Sequence, residues 1–135
     1  MSYAGGAALQ EAVYARLIAD PALDALVDGA VHDAVPSGPE PALYVLIGSE
    51  QVRDRSDRSG PGAEHRFKVS VISDATGFKA AKKAAAAASV ALEDAPLALE
   101  AGRLVGLWFY RAETRRHAQG AGRRIDLTFV ARIEG

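Results

Sequence analysis

Cysteine is absent from the 135 residues. That excludes disulfides and thiolate metal sites. No apolar run approaches the ~18 residues of a membrane span, so no membrane partner is expected. The opening residues, Met1-Ser-Tyr-Ala-Gly-Gly6, lack the basic stretch of a secretory signal. There is no P-loop glycine pattern, no G-x-G-x-x-G after a strand and no G-x-S-x-G elbow. His32, His65 and His117 stand far apart, without metal-ligand spacing, and each is expected at the surface or a strand edge. The residues therefore predict no catalytic, cofactor or metal site.

What is present reads as one domain over residues 1–135. Hydrophobic residues make up 49% and charged residues 24%, the balance of an ordinary globular chain. Net charge is −1, but the charges are segregated. Residues 1–50 hold seven Asp/Glu against one Lys/Arg, a balance of −6; residues 51–135 hold ten against fifteen, a balance of +5. Such segregation suits a protein with faces of opposite sign that stacks or rings with copies of itself. Chance segregation on a solvated surface is the alternative.

Hydrophobic spacing predicts the elements. Leu9, Val13 and Leu17 recur every four residues, with Ala12 and Ile18 widening the stripe, so Leu9–Ile18 reads as a helix. Asp20-Pro21 stops it, and Ala22–Val27 adds a further turn. A Pro/Gly-rich link, Pro36–Pro41, leads to Leu43–Ile47, whose continuous apolarity predicts a mid-sheet strand covered on both faces. Phe67, Val69 and Val71 alternate with Arg66, Lys68 and Ser70. A helix is expected from Thr76-Gly77 to Leu92 or Asp94, with Phe78, Ala81, Ala85, Ala88 and Leu92 on one stripe. Lys79, Lys82 and Lys83 in its first turns read as solvated or as meeting a neighbour's acids. Leu104–Tyr110 is an apolar and aromatic strand. Ile125 to Ile133 alternates with Asp126, Thr128 and Arg132, so this last strand is expected to have a wet or intersubunit face. The whole predicts an α+β fold: a mostly antiparallel sheet of about four strands, with two main helices packed on one face.

Two charged loops stand out. Ser49–Glu64 is expected as one long loop, with Arg53, Asp54, Arg55, Asp57 and Arg58 in its centre. Asp54 and Asp57 could pair as carboxylates, but a flexible loop is a poor place to hold catalytic geometry. Glu113–Arg124 joins the last two strands and carries Arg115, Arg116, Arg123 and Arg124, with Gly120-Ala-Gly122 reading as a turn. Arginine forks bind carboxylates and stack on flat groups, which favours protein interfaces. Solvated hairpin tips are the plain alternative. Phosphate binding is another, weakened by the lack of base-stacking aromatics in either loop.

The order of these pieces resembles the phage tail completion family, in particular tail terminators of siphophage-like particles and gene transfer agents. The resemblance rests on Leu9-Gln-Glu-Ala-Val-Tyr-Ala-Arg-Leu17, Asp20-Pro21, Pro41-Ala-Leu-Tyr-Val-Leu-Ile-Gly48 and Ser70-Val-Ile-Ser-Asp-Ala-Thr-Gly77 with its following helix. It spans nearly the whole chain. Two features depart from the pattern: Ala42-Leu43 displace the tyrosine that follows the proline, and the second helix is unusually alanine-rich. The resemblance implies a non-enzymatic virion protein without cofactors, assembled in the bacterial cytoplasm and placed at the head–tail junction. It also implies a ring, usually hexameric, on the end of the tail tube. The partners would be further copies of itself, the tail tube protein, the head-completion (stopper) protein and DNA passing through unread. The arginines and aspartates of the two loops become candidates for subunit or tail-tube contacts. The competing readings are a small-ligand-binding or regulatory α+β domain and, last, an enzyme.

Overall fold

The computed structural model describes residue 3 and residues 5–58, 60–116 and 122–135. Two helices come first, α1 (Gly5–Ile18) and α2 (Pro21–Val27). The strands β1 (Val31–His32), β2 (Leu43–Asp54) and β3 (Gly62–Ser73) follow, then α3 (Lys79–Leu92), β4 (Arg103–Arg116) and β5 (Arg123–Glu134). The strands form one sheet in the order β1-β2-β3-β5-β4. β1 pairs parallel with β2, and every other pairing is antiparallel.

Local chemistry explains the helix ends. The Asp20 carboxylate accepts from the Leu23 N–H at 2.9 Å, and Pro21 opens α2 where a missing N–H costs nothing. Asp28 then turns into the left-handed region and ends the helix. In α3, Ala81, Ala84 and Ala88 are fully buried. Their small side chains let the helix lie close to β3, β4 and β5. The stripe Leu9, Val13 and Leu17 of α1 joins Leu23, Val45, Val69, Val71, Leu127 and Phe129 in a single core cluster. Burying a side chain of this size is worth about 1.5–3 kcal/mol. Arg16 ties the layer together by donating its Nε to the carbonyl of Ala91 at 2.9 Å.

The mixed α+β class matches the sequence expectation, and the details differ. Among the described residues the sheet has five strands and there are three helices, because the short β1 and the capped α2 are elements in their own right. Most of the expected loop Ser49–Glu64 is strand: β2 runs on to Asp54 and β3 begins at Gly62. A register shift between Ile47 and Glu50 lets β2 continue past Gly48. Its charged residues are compatible with pairing because Arg53 and Asp54 reach solvent. Leu43–Ile47 lies second from the edge, with Leu43 and Leu46 only half-buried. The face of β5 expected to be wet or intersubunit is only partly exposed: the strand sits between β3 and β4, Thr128 and Arg132 are half-buried, and Asp126 is 3% exposed. His65 is fully buried, against the surface position expected of it. Its Nδ1 lies 3.4 Å from a Glu50 carboxylate oxygen, and the Tyr3 ring stacks over it. His117 and most of the Gly120–Gly122 turn lie outside the described residues.

Candidate assembly interface

The sheet sends the two charged hairpins in opposite directions. Gly62 and Ser73 bound β3, and their β5 partners are Glu134 and Arg123. The β2–β3 tip and the β4–β5 tip therefore sit at opposite ends of the sheet, roughly 36 Å apart at about 3.3 Å per residue. The candidate arginines do not form one patch. They form two poles.

At the first pole Asp54 is engaged locally. It accepts from the Ser56 N–H at 3.1 Å and from the Ser56 hydroxyl at 2.6 Å, and these bonds hold its carboxyl below the usual range. Asp57 pairs with Gly60 through the backbone. Arg55 faces Glu64 at 3.5 Å, and its carbonyl accepts from Arg132 at 3.2 Å. Arg53 and Arg58 are exposed. Nothing here resembles a catalytic dyad, since Asp54 serves the turn.

The second pole contains a charge network that the sequence did not suggest. Ser70 donates to Asp126 Oδ1 at 2.5 Å, and Arg124 Nε donates to the same oxygen at 2.8 Å. An Arg124 Nη donates to Ser70 Oγ at 3.2 Å. Arg115 lies 3.0 Å from Asp126 Oδ2, an ion contact without hydrogen-bond alignment. Burial pushes the Asp126 carboxyl up, but the Ser70 and Arg124 bonds and the charges of Arg124 and Arg115 outweigh it, and the net shift is downward. The acid that quiets the arginine cluster is thus the chain's own. Arg123 stacks over Phe78, 5.4 Å from the ring centroid. Of the four arginines, Arg116 is exposed on the outer strand and Arg115 is half-exposed there.

β4 is an edge strand, exposed over most of its length. Trp108, Phe109 and Tyr110 are 40%, 40% and 49% exposed. A register shift between Phe109 and Arg111 allows Tyr110 to lie under the Arg66 guanidinium, 4.5 Å from its ring centroid. Phe109 meets Phe129 edge-on. The end of α3 covers part of the strand's outer edge. Asp94 N–H donates to the Leu107 carbonyl at 3.0 Å, and the Glu93 carboxylate accepts from the Phe109 N–H at 2.8 Å. From Arg111 to Arg116 every residue is exposed. Consecutive side chains point to opposite faces, so this stretch is bare on both.

The sequence reading named the arginines and aspartates of the two loops as interface candidates and did not name these exposed aromatics. A signal existed: three consecutive aromatics cannot all face one core at a period of two.

The model of the family described as tail completion protein gp17 matches residues 11–134. The chain belongs to that family. As a member of the tail completion family it is a structural virion tail protein, not an enzyme. A solved structure described as "Virion of native gene transfer agent (GTA) particle" contains a chain 58% identical to this one. The two superpose with a TM-score of 0.93 over 99% of this chain and 100% of that one. No curated protein matches. The family's assembly role fits the surfaces above, an edge strand covered only in part and two charged poles.

Proposed function

We propose that this chain is the tail terminator of a gene transfer agent or prophage particle. Copies of it, six in the arrangement its family resemblance implies, form a ring on the finished tail tube. The ring stops further addition of tube subunits and offers a surface to the stopper protein of the head. DNA passes through it unread.

The observation that carries this reading is the membership of a tail completion family together with the 58% identical chain inside a gene transfer agent virion. The geometry supports it. A terminator must touch neighbours sideways and two different partners above and below. This fold has two lateral sheet edges and two charged hairpin poles at opposite ends. Arg53, Asp54, Arg55, Asp57 and Arg58 at one pole, with Arg115, Arg116, Arg123 and Arg124 at the other, are the candidate contacts.

Electron microscopy of particles produced with and without this protein tests the proposal. With it, tails should have uniform length and be joined to heads. Without it, tubes should overrun or remain unjoined. Tails of normal length joined to heads in its absence would overturn the reading.

A further inference from the structure

The uncapped stretches of the two lateral edges of the sheet differ in charge. β1 ends the sheet on one side and β4 on the other. Asp28 and Asp33 flank β1, and Asp24 lies one helical turn before Asp28 on α2. All three are exposed, and among the described residues none has a cation within ion-pair distance. Leu26 and Val35 are exposed along the same stretch of chain. On the opposite edge Glu93 and Asp94 cap the strand at Phe109 and Leu107, and beyond that stretch Arg111 and Arg116 are exposed, with Trp108, Phe109 and Tyr110 exposed on the same strand. Arg111 has Glu113 as a partner at 3.6 Å, with both side chains more than half exposed, so that pair is weak and easily exchanged.

Resting on the ring reading, we infer that the β4 edge of one copy docks against the β1–α2 edge of a second copy, head to tail. Arginines meet aspartates, and exposed aromatics meet exposed aliphatics. Charge decides between this and the symmetric alternative. A two-fold contact of β4 on β4 would bring together two stretches that each carry Arg111, Arg115 and Arg116 with Glu113 as their one acid, and this net like charge opposes association. Two different edges make a heterologous contact, which closes into a ring when its rotation permits.

The absence of cysteine gives a clean test. Single-cysteine variants Asp33→Cys and Thr114→Cys, and the variant with both, are incorporated into particles and treated with a flexible bis-maleimide. Head-to-tail docking predicts that the double variant gives a ladder in multiples of the 14.2 kDa chain. Either single variant alone should give none, and a mixture of the two should give dimers. Cross-linking of Thr114→Cys to itself would show a symmetric contact and overturn the inference. Its capture by a different protein, or no ladder in intact particles, would overturn it as well.

A charge swap supplies the second arm. R111E with R116E, or D24K with D33K, should each reduce joined particles roughly tenfold or more, and the four changes in one chain should restore them. Failure of restoration overturns the docking. The terminator role stands or falls separately, on whether particles lacking the protein have normal tails.

Discussion

Replacing Asp126 with asparagine keeps the shape of the side chain and removes its charge. In the native fold this carboxylate receives Ser70 at 2.5 Å and Arg124 at 2.8 Å, with Arg115 at 3.0 Å. An asparagine oxygen can still accept from Ser70 and Arg124, without the charge, but its amide nitrogen then faces the Arg115 guanidinium, donor against donor. A hydrogen bond to a charged group contributes about 1.5–3 kcal/mol. Breaking a fully buried pair costs about 3–5 kcal/mol. Arg124 and Arg115 are 24% and 53% exposed and can be rehydrated, which puts D126N at the lower end, about 2–3 kcal/mol. The pH dependence has a definite sign. The folded-state pKa lies below the unfolded value of about 3.9. The stabilisation is therefore present above about pH 4 and is lost as pH falls through the folded pKa. Urea unfolding followed by circular dichroism at pH 7 and in acid measures both effects. The gap between wild type and D126N should narrow on acidification. A gap under about 0.5 kcal/mol at pH 7, the usual surface range, would refute the network's role. So would a gap unchanged in acid.

Leu17 is fully buried in the core, so Leu17→Ala should cost about 2–5 kcal/mol in the same unfolding assay, and a surface-sized change would remove α1 from the core. Gly102 has φ +79, and a Cβ there would lie 2.9 Å from Ile133 Cγ2 and 3.0 Å from the Glu134 carbonyl. Gly102→Ala should lower stability by about 1–3 kcal/mol in a thermal melt, and a neutral result would mean the Gly102 turn relaxes freely. Arg124→Glu should destabilise the isolated chain, because it sets a second carboxylate beside Asp126 and Ser70, whereas Arg116→Glu should stay within about 0.5 kcal/mol of wild type. Equal effects of the two on unfolding would refute the division of the cluster into an internal clamp and an outward arginine.

The helices were legible because their signals are local. The four-residue spacing of Leu9, Val13 and Leu17 marks a buried face, and Asp20-Pro21 marks a boundary whatever the rest of the chain does. The sheet was less legible because strand neighbours are chosen from far away. Alternation in Ile125–Ile133 shows two faces but not that β5 lies between β3 and β4, and that position is what buries Asp126. Ser70 and Asp126 are 56 residues apart, so their bond leaves no local pattern. The charged run after Ser49 misled for a related reason. Polar residues argue for a loop only when a strand is assumed to need a covered face, and Arg53 and Asp54 lie at the C-terminal end of a strand, where it reaches solvent. His65 was misplaced because one histidine in an alternating strand gives no sign of being enclosed by Glu50 and Tyr3.

An edge strand of fourteen residues is a hazard on a chain meant to stay alone, since its unpaired backbone invites any passing strand. The two halves of β4 are handled differently. Glu93 and Asp94 cap the backbone at Phe109 and Leu107, which closes the first half to pairing. The second half has no such cap among the described residues and is guarded by charge, with Arg111, Glu113, Arg115 and Arg116 in succession. Charge is a selective guard. It repels a second β4 edge, yet it attracts a surface bearing Asp24, Asp28 and Asp33. Because such pairs steer association more than they tighten it, the contact should be reversible in a free pair of subunits. Tightness must then come from elsewhere: from the aromatic area of Trp108, Phe109 and Tyr110, and from ring closure, which makes each contact depend on the others. An edge built this way favours assembly where several copies are held side by side, as in the proposed ring, over assembly in free solution.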